Sequence, residues 1–150
     1  MPILTLILLA CFPLTLNAWD HYRADFSDDL DTVTVEACFD GAAPRQLHRN
    51  EKAGLYTDWV RSGQQDIPNR SRYGRLRLPE LPDDACVQWR VDLSVAAAEN
   101  EFRLAIRLEN ALLSSGNLWF WRDKERREIR VEVNLPPGAS ISTPWAATGE

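Results

Sequence analysis

Carboxylates apart, few residues in this chain of 150 are of types that make or break bonds, and their spacing is not that of a reaction centre. There are two histidines, His21 and His48, and neither stands at a metal-ligand spacing from another donor. A His-Glu-x-x-His helix, a paired-cysteine zinc pattern, a Gly-x-Ser-x-Gly elbow and a glycine-rich phosphate loop are all missing. Carboxylates are numerous, yet nothing in their spacing asks for a general acid and base. The densest acidic run, Ser27-Asp28-Asp29-Leu30-Asp31, lacks the glycine and distal glutamate of a calcium loop. It reads as a turn whose short polar side chains bond their own backbone. The expectation is a chain without catalytic residues, metal or cofactor of its own.

Oxidation and recognition remain. Residues 1–18, MPILTLILLACFPLTLNA, carry no charge, and their apolar run from Ile3 to Phe12 is shorter than the ~20 residues a spanning helix needs. They read as a signal peptide cleaved after Ala18, with no membrane span. Leu8-Leu9-Ala10-Cys11 also resembles a lipoprotein box, which would make Cys11 a lipid-anchored terminus instead. Without the leader only Cys38 and Cys86 remain, an even count suited to one disulfide in an oxidising compartment, with two unrelated buried thiols as the alternative. Closing that loop of about 48 residues stabilises the fold by up to roughly 4 kcal/mol in the chain-entropy model. Asn69-Arg70-Ser71 matches a glycosylation acceptor, a weak three-residue signal. The net charge of −5 disfavours nucleic acid and anionic membrane surfaces as partners. Fifteen arginines against two lysines are spread along the chain rather than gathered into a patch.

Six tryptophans, Trp19, Trp59, Trp89, Trp119, Trp121 and Trp145, are the other candidates for recognition. Exposed in a row they would stack on sugar rings; buried, they pack with a satisfied indole N–H. Trp89 falls inside a strict apolar alternation and belongs to the core. Trp119 and Trp121 share one face of an apparent strand, opposite Leu118 and Phe120, and with Trp59 and Trp145 they are the candidate interface or binding residues.

The elements that position these residues read as strands. Residues 22–26 form a short first strand. Val33, Val35, Ala37 and Phe39 then alternate with Thr32, Thr34, Glu36 and Cys38, and Val87, Trp89, Val91, Leu93 and Val95 alternate with Gln88, Arg90, Asp92 and Ser94. Cys38 and Cys86 both fall off the apolar face, so their sulfurs can meet on the outer face of one sheet. Phe102 to Leu108 reads as the partner of the 87–95 strand, Leu118 to Trp121 as an aromatic strand covered on both sides, and Ile129 to Leu135 as a half-buried strand. Between them, Leu55 with Trp59 and Tyr56 with Val60 suit a short helix beginning near Asn50, which Gly54 weakens by roughly 1 kcal/mol; a strand over 55–60 is the alternative. Short strands, regular turns and one disulfide give an all-β chain: an antiparallel β-sandwich over 19–150, with one short helix or irregular insertion, preceded by the signal peptide.

Three stretches together resemble a known family. Cys86-Val87-Gln88-Trp89-Arg90-Val91-Asp92-Leu93, then Leu118-Trp119-Phe120-Trp121, then Val133-Asn134-Leu135-Pro136-Pro137-Gly138 with Ser142-Thr143-Pro144-Trp145, look like the N-terminal β-domain of bacterial gluzincin-type zinc metallopeptidases related to glycyl aminopeptidases. The resemblance covers the last third of the chain well and the first half in general character. In that family the β-domain precedes a thermolysin-like catalytic domain, and none of the zinc or catalytic residues falls on a position here. It therefore implies a non-catalytic, secreted or periplasmic module, with a downstream peptidase domain or another envelope protein as partner. It also implies that the sandwich continues beyond Glu150. A free-standing carbohydrate- or peptide-binding module is the alternative.

Overall fold

Two strands of strict alternation fix the centre of the molecule. A computed structural model describes residues 19–125 and 128–145; the expected signal peptide, with Ala18 and Cys11, lies outside them. In chain order the elements are β1 (Trp19–Phe26), β2 (Thr32–Cys38), β3 (Gln46–His48), a 3-10 turn (Ala53–Tyr56), β4 (Thr57–Ser62), β5 (Gln65–Asp66), β6 (Ser71–Arg72), β7 (Arg75–Arg77), β8 (Cys86–Asp92), α1 (Leu93–Ala98), β9 (Ala105–Leu108), β10 (Ala111–Ser114), α2 (Gly116–Trp119) and β11 (Glu128–Asn134). β2 and β8 pair antiparallel in a register that sets Val33 opposite Val91, Val35 opposite Trp89 and Ala37 opposite Val87. All six side chains are fully buried. Because side chains alternate along a strand, Thr34, Glu36, Gln88 and Arg90 are turned to the other face.

The same register brings Cys38 opposite Cys86, with Cα atoms 4.0 Å apart, and the two form a disulfide on that outer face. The all-β class and the disulfide read from the sequence are what the structure has. The main sheet has six strands in the order β11-β1-β2-β8-β4-β5. Its pairs are antiparallel except one: β11 runs parallel to β1, Glu128 opposite Trp19 through Asn134 opposite Asp25. Parallel neighbours need a long crossover, and here nearly all of the intervening chain supplies it.

A patchwork covers the inner face of this sheet. β3, β7 and β6 make a three-stranded antiparallel sheet in which Leu47 faces Leu76, both fully buried. Its β6–β7 hairpin turns on Tyr73 and Gly74 at φ 57° and 67°, the pair of positive angles a two-residue turn of this hand demands. A Cβ on Gly74 would lie 2.4 Å from the Arg49 carbonyl, so only glycine fits there. The 3-10 turn, α1, α2 and the β9–β10 hairpin complete the layer and share one core with the sheet.

Four local expectations give way to packing. The strand expected to reach Val95 stops at Asp92, whose carboxylate accepts from Val95 N at 2.9 Å and caps α1. Leu93 then turns fully into the core and Val95 faces solvent. Residues 105–108 pair with β10 instead of β8, whose two edges are already taken by β2 and β4. The helix and strand readings of residues 50–60 are each half right, because the 3-10 turn ends at Tyr56 and β4 begins at Thr57. The aromatic strand over 118–121 is instead one turn of helix, α2, followed by an extended exit. Leu118 N bonds Ser115 O and Phe120 N bonds Gly116 O, and that turn carries Leu118, Trp119 and Trp121 all into the core, which a straight strand could not do.

Candidate binding cleft

The tryptophans divide by burial. Trp119 is 4% exposed and Trp121 is fully buried. The indoles of Trp89 and Trp121 find acceptors: Trp89 Nε1 donates to Trp119 O at 2.8 Å and Trp121 Nε1 to Leu118 O at 2.9 Å. Trp89 and Trp121 stack with centroids 4.6 Å apart and planes 3° from parallel. Trp119 and Trp121 are therefore core, which corrects their reading as interface residues; the bent backbone of α2 is the cause. Trp59 lies half-buried on β4 under the Arg61 guanidinium, 4.3 Å from its ring centre. A row of exposed rings over Trp59, Trp119 and Trp121 is absent. Of the four, Trp145 lines a cavity.

That cavity is a cleft of about 640 Å³. Asp20 from β1 with His48 and Arg49 at the end of β3 contribute its polar side, and Phe120, Ile129 and Trp145 its apolar side. The Trp145 ring stands 5.0 Å from Phe120 and 6.1 Å from Trp119, so it extends the core aromatics outward; it is 38% exposed. Arg122 forms one wall and is pinned by its backbone, with His48 N donating to Arg122 O at 2.7 Å and Arg122 N to His48 O at 3.2 Å.

Behind this floor is a buried cation. Arg49 is 5% exposed, and its guanidinium carbon sits 4.6 Å from the Trp121 ring centre. Its terminal nitrogens donate to Asn69 Oδ1 at 2.6 Å and Asn69 O at 3.4 Å. Asn69 Nδ2 in turn donates to Gly54 O at 3.0 Å and Thr57 O at 3.3 Å. Among the described residues no carboxylate lies within ion-pair distance of Arg49, and burial pushes its pKa down to about 10. It remains charged at neutral pH, held by an aromatic face and an amide in place of an acid. A Cβ on Gly54 would come 2.9 Å from that guanidinium, which explains a glycine in a segment where it weakens helix. The Asn69 amide is thus occupied inside the fold, so the Asn69-Arg70-Ser71 glycosylation match is not supported: a glycan on Nδ2 would leave it one hydrogen for the two bonds it now makes.

Asp20 is 3% exposed and accepts from Asp40 N at 3.1 Å. Among the described residues, His48 Nε2 and Arg49 Nε are buried and find no hydrogen-bond partner. The described residues hold no group of three or more side chains able to ligate a metal, and no helix among them is long and apolar enough to cross a membrane. The Asp29–Asp31 turn is occupied by Arg107, which donates to Asp29 O, Leu30 O and Asp31 Oδ1 at 3.1, 3.2 and 2.6 Å. What the cleft offers chemically is hydrogen bonding from a mixed-charge floor and apolar contact with an aromatic wall. A second, shallower groove of about 450 Å³ lies beside Phe102 and Leu113, which are 75% and 57% exposed.

Sequence reasoning named Trp145, which lines this cleft, and did not single out Asp20, His48 or Arg49 as lining it. No periodicity marks an arginine that will be buried; the one available trace was Gly54. No protein-family model matches the chain, and no curated protein matches it.

Proposed function

We propose that this chain is a non-catalytic, exported β-domain that stands beside a gluzincin-type peptidase domain, and that the Trp145 cleft is where the two touch. The carrying observation is that the fold is sealed everywhere along its central strands but left half-covered at one end. There Phe120, Ile129 and Val131 are only partly buried and Trp145 is 38% exposed over the cleft. Aromatic anchors of this kind, rimmed by polar groups, are what protein interfaces use. The outer-face disulfide supports an oxidising compartment. Trp145 belongs to the same Ser-Thr-Pro-Trp stretch that carries the family resemblance.

The test has a genomic and a biochemical part. An adjacent or continuous reading frame with a His-Glu-x-x-His helix is expected; unrelated genes on both sides of a stop codon contradict the reading. The isolated chain, supplied with zinc, leaves aminoacyl-nitroanilides intact, and turnover by it would overturn the non-catalytic role. Adding the downstream domain in trans shifts Trp145 fluorescence to the blue, and Trp145→Ala weakens association by about tenfold or more.

Trp145 at the mouth of a polar cleft also favours a second reading, a module that binds a glycan or peptide directly. Quenching of Trp145 by oligosaccharide or peptide, in the absence of any peptidase domain, distinguishes it.

A further inference from the structure

The sheet ends in a strand whose charges are self-complementary. β11 is the outermost strand of the six, paired to β1 on one side only. Among the described residues it makes no backbone hydrogen bond beyond that ladder. Its outer face reads Glu128, Arg130, Glu132, Asn134 and is exposed; its inner face reads Ile129, Val131, Val133 and is half-buried. Arg130 and Glu132 form no ion pair among the described residues; the Arg130 guanidinium lies over Trp19 at 5.7 Å. An uncovered edge of seven regular residues is a template for another strand.

We infer that β11 pairs antiparallel with β11 of a second copy, about a two-fold axis through Val131, joining two six-stranded sheets into one. Full overlap of the seven residues sets Val131 opposite its counterpart and Ile129 opposite Val133. It also sets Arg130 opposite the partner copy's Glu132 twice, once on each side of the axis, and Glu128 opposite Asn134. Every side chain keeps its face. The neighbouring registers of the same parity fail: a slip of two residues one way sets Arg130 against Arg130 and Glu128 against Glu132, and the other way sets Glu132 against Glu132. Like charges directly opposite destabilise a strand pair and unlike charges stabilise it. The register with the greatest overlap is thus the one with matched charges, which identifies the occupant as this same strand and not a generic apolar segment. A two-fold interface of this sort is isologous. The inference is independent of the peptidase reading, which concerns the cleft; the two surfaces share Ile129, which lines the cleft, and Val131 at its half-covered end.

Charge reversal tests it with the full exported chain, by sedimentation equilibrium over a concentration series. The wild type is a reversible dimer that weakens with added salt. Arg130→Glu and Glu132→Arg each raise the dimer dissociation constant at least about tenfold, because each turns both cross-axis pairs repulsive. The Arg130→Glu/Glu132→Arg double variant restores the dimer. Mixing the two single variants in equal amounts gives a heterodimer, since positions 130 and 132, both acidic in one variant, then face positions 132 and 130, both basic in the other. Both positions are exposed, and circular dichroism confirms that each variant folds. A monomeric wild type at high micromolar concentration overturns the inference, as does a dimer unaffected by either reversal or singles that fail to combine.

Discussion

The β2–β8 pair and the β11 edge are built from the same alternation of apolar with polar or charged residues, yet they end in different states. Val33, Val35, Val87 and Val91 are fully buried, whereas Ile129, Val131 and Val133 are half-buried on a strand of equal length. Alternation decides which way side chains point; coverage is decided by what the rest of the chain lays over them. β2 and β8 have strands on both sides and an aromatic layer above, in which Trp89 alone stacks on Trp121 and bonds Trp119 O. β11 has one neighbour, and over its end lies a cleft. The sealed pair carries the stability, and the open edge leaves one side of its strand without a neighbour among the described residues.

Trp89→Ala breaks this contrast most severely. It removes a fully buried ring, a stack and a hydrogen bond, and is expected to cost about 3–5 kcal/mol in denaturant unfolding. A loss below about 1 kcal/mol would mean that the centre is not where stability resides. Replacing both cysteines, Cys38→Ala with Cys86→Ala, comes next, at about 2–4 kcal/mol by thermal or denaturant melts of oxidised protein. Val131→Ala should cost about 1 kcal/mol or less in dilute protein, well under Val33→Ala, since the half-buried methyls lose less contact. Equal losses at the two positions would erase the distinction.

The smallest effect sits in the turn between β1 and β2. The Ser27 hydroxyl and the Asp31 backbone N–H, bonded to Asp29, hold its carboxyl below the usual value of 3.8. A depressed carboxylate stabilises the fold above its unfolded pKa and loses that contribution as pH falls through the folded one. Wild type therefore loses stability relative to Asp29→Asn as pH drops below about 4, a small shift because the side chain is exposed. An unchanged difference between pH 6 and pH 2 would show that the turn adds nothing.

The sequence showed most where local pattern and packing agree. The alternations in β2, in most of β8 and in β11, and the outward parity of Cys38 and Cys86, were legible because a period of two leaves one geometry. It failed where a cap or a turn of helix redirects the chain. Asp92 ends β8 because its carboxylate reaches Val95 N, and residues 116–119 coil because that turn buries both Trp119 and Trp121. The cleft was mostly invisible. Asp20, His48 and Arg49 come from β1 and β3 while Phe120, Ile129 and Trp145 come from the last third, and a residue such as Arg49 becomes buried only through Asn69 and Trp121, distant in sequence.

Amide hydrogen exchange, read residue by residue at low and at high protein concentration, tests the contrast most directly. The account expects the amides of Val33–Ala37 and Val87–Val91 to exchange only through global unfolding at both concentrations. It expects those of β11 to exchange much faster in dilute protein and to slow as copies associate. Equal, concentration-independent protection of β11 and β8 would contradict it.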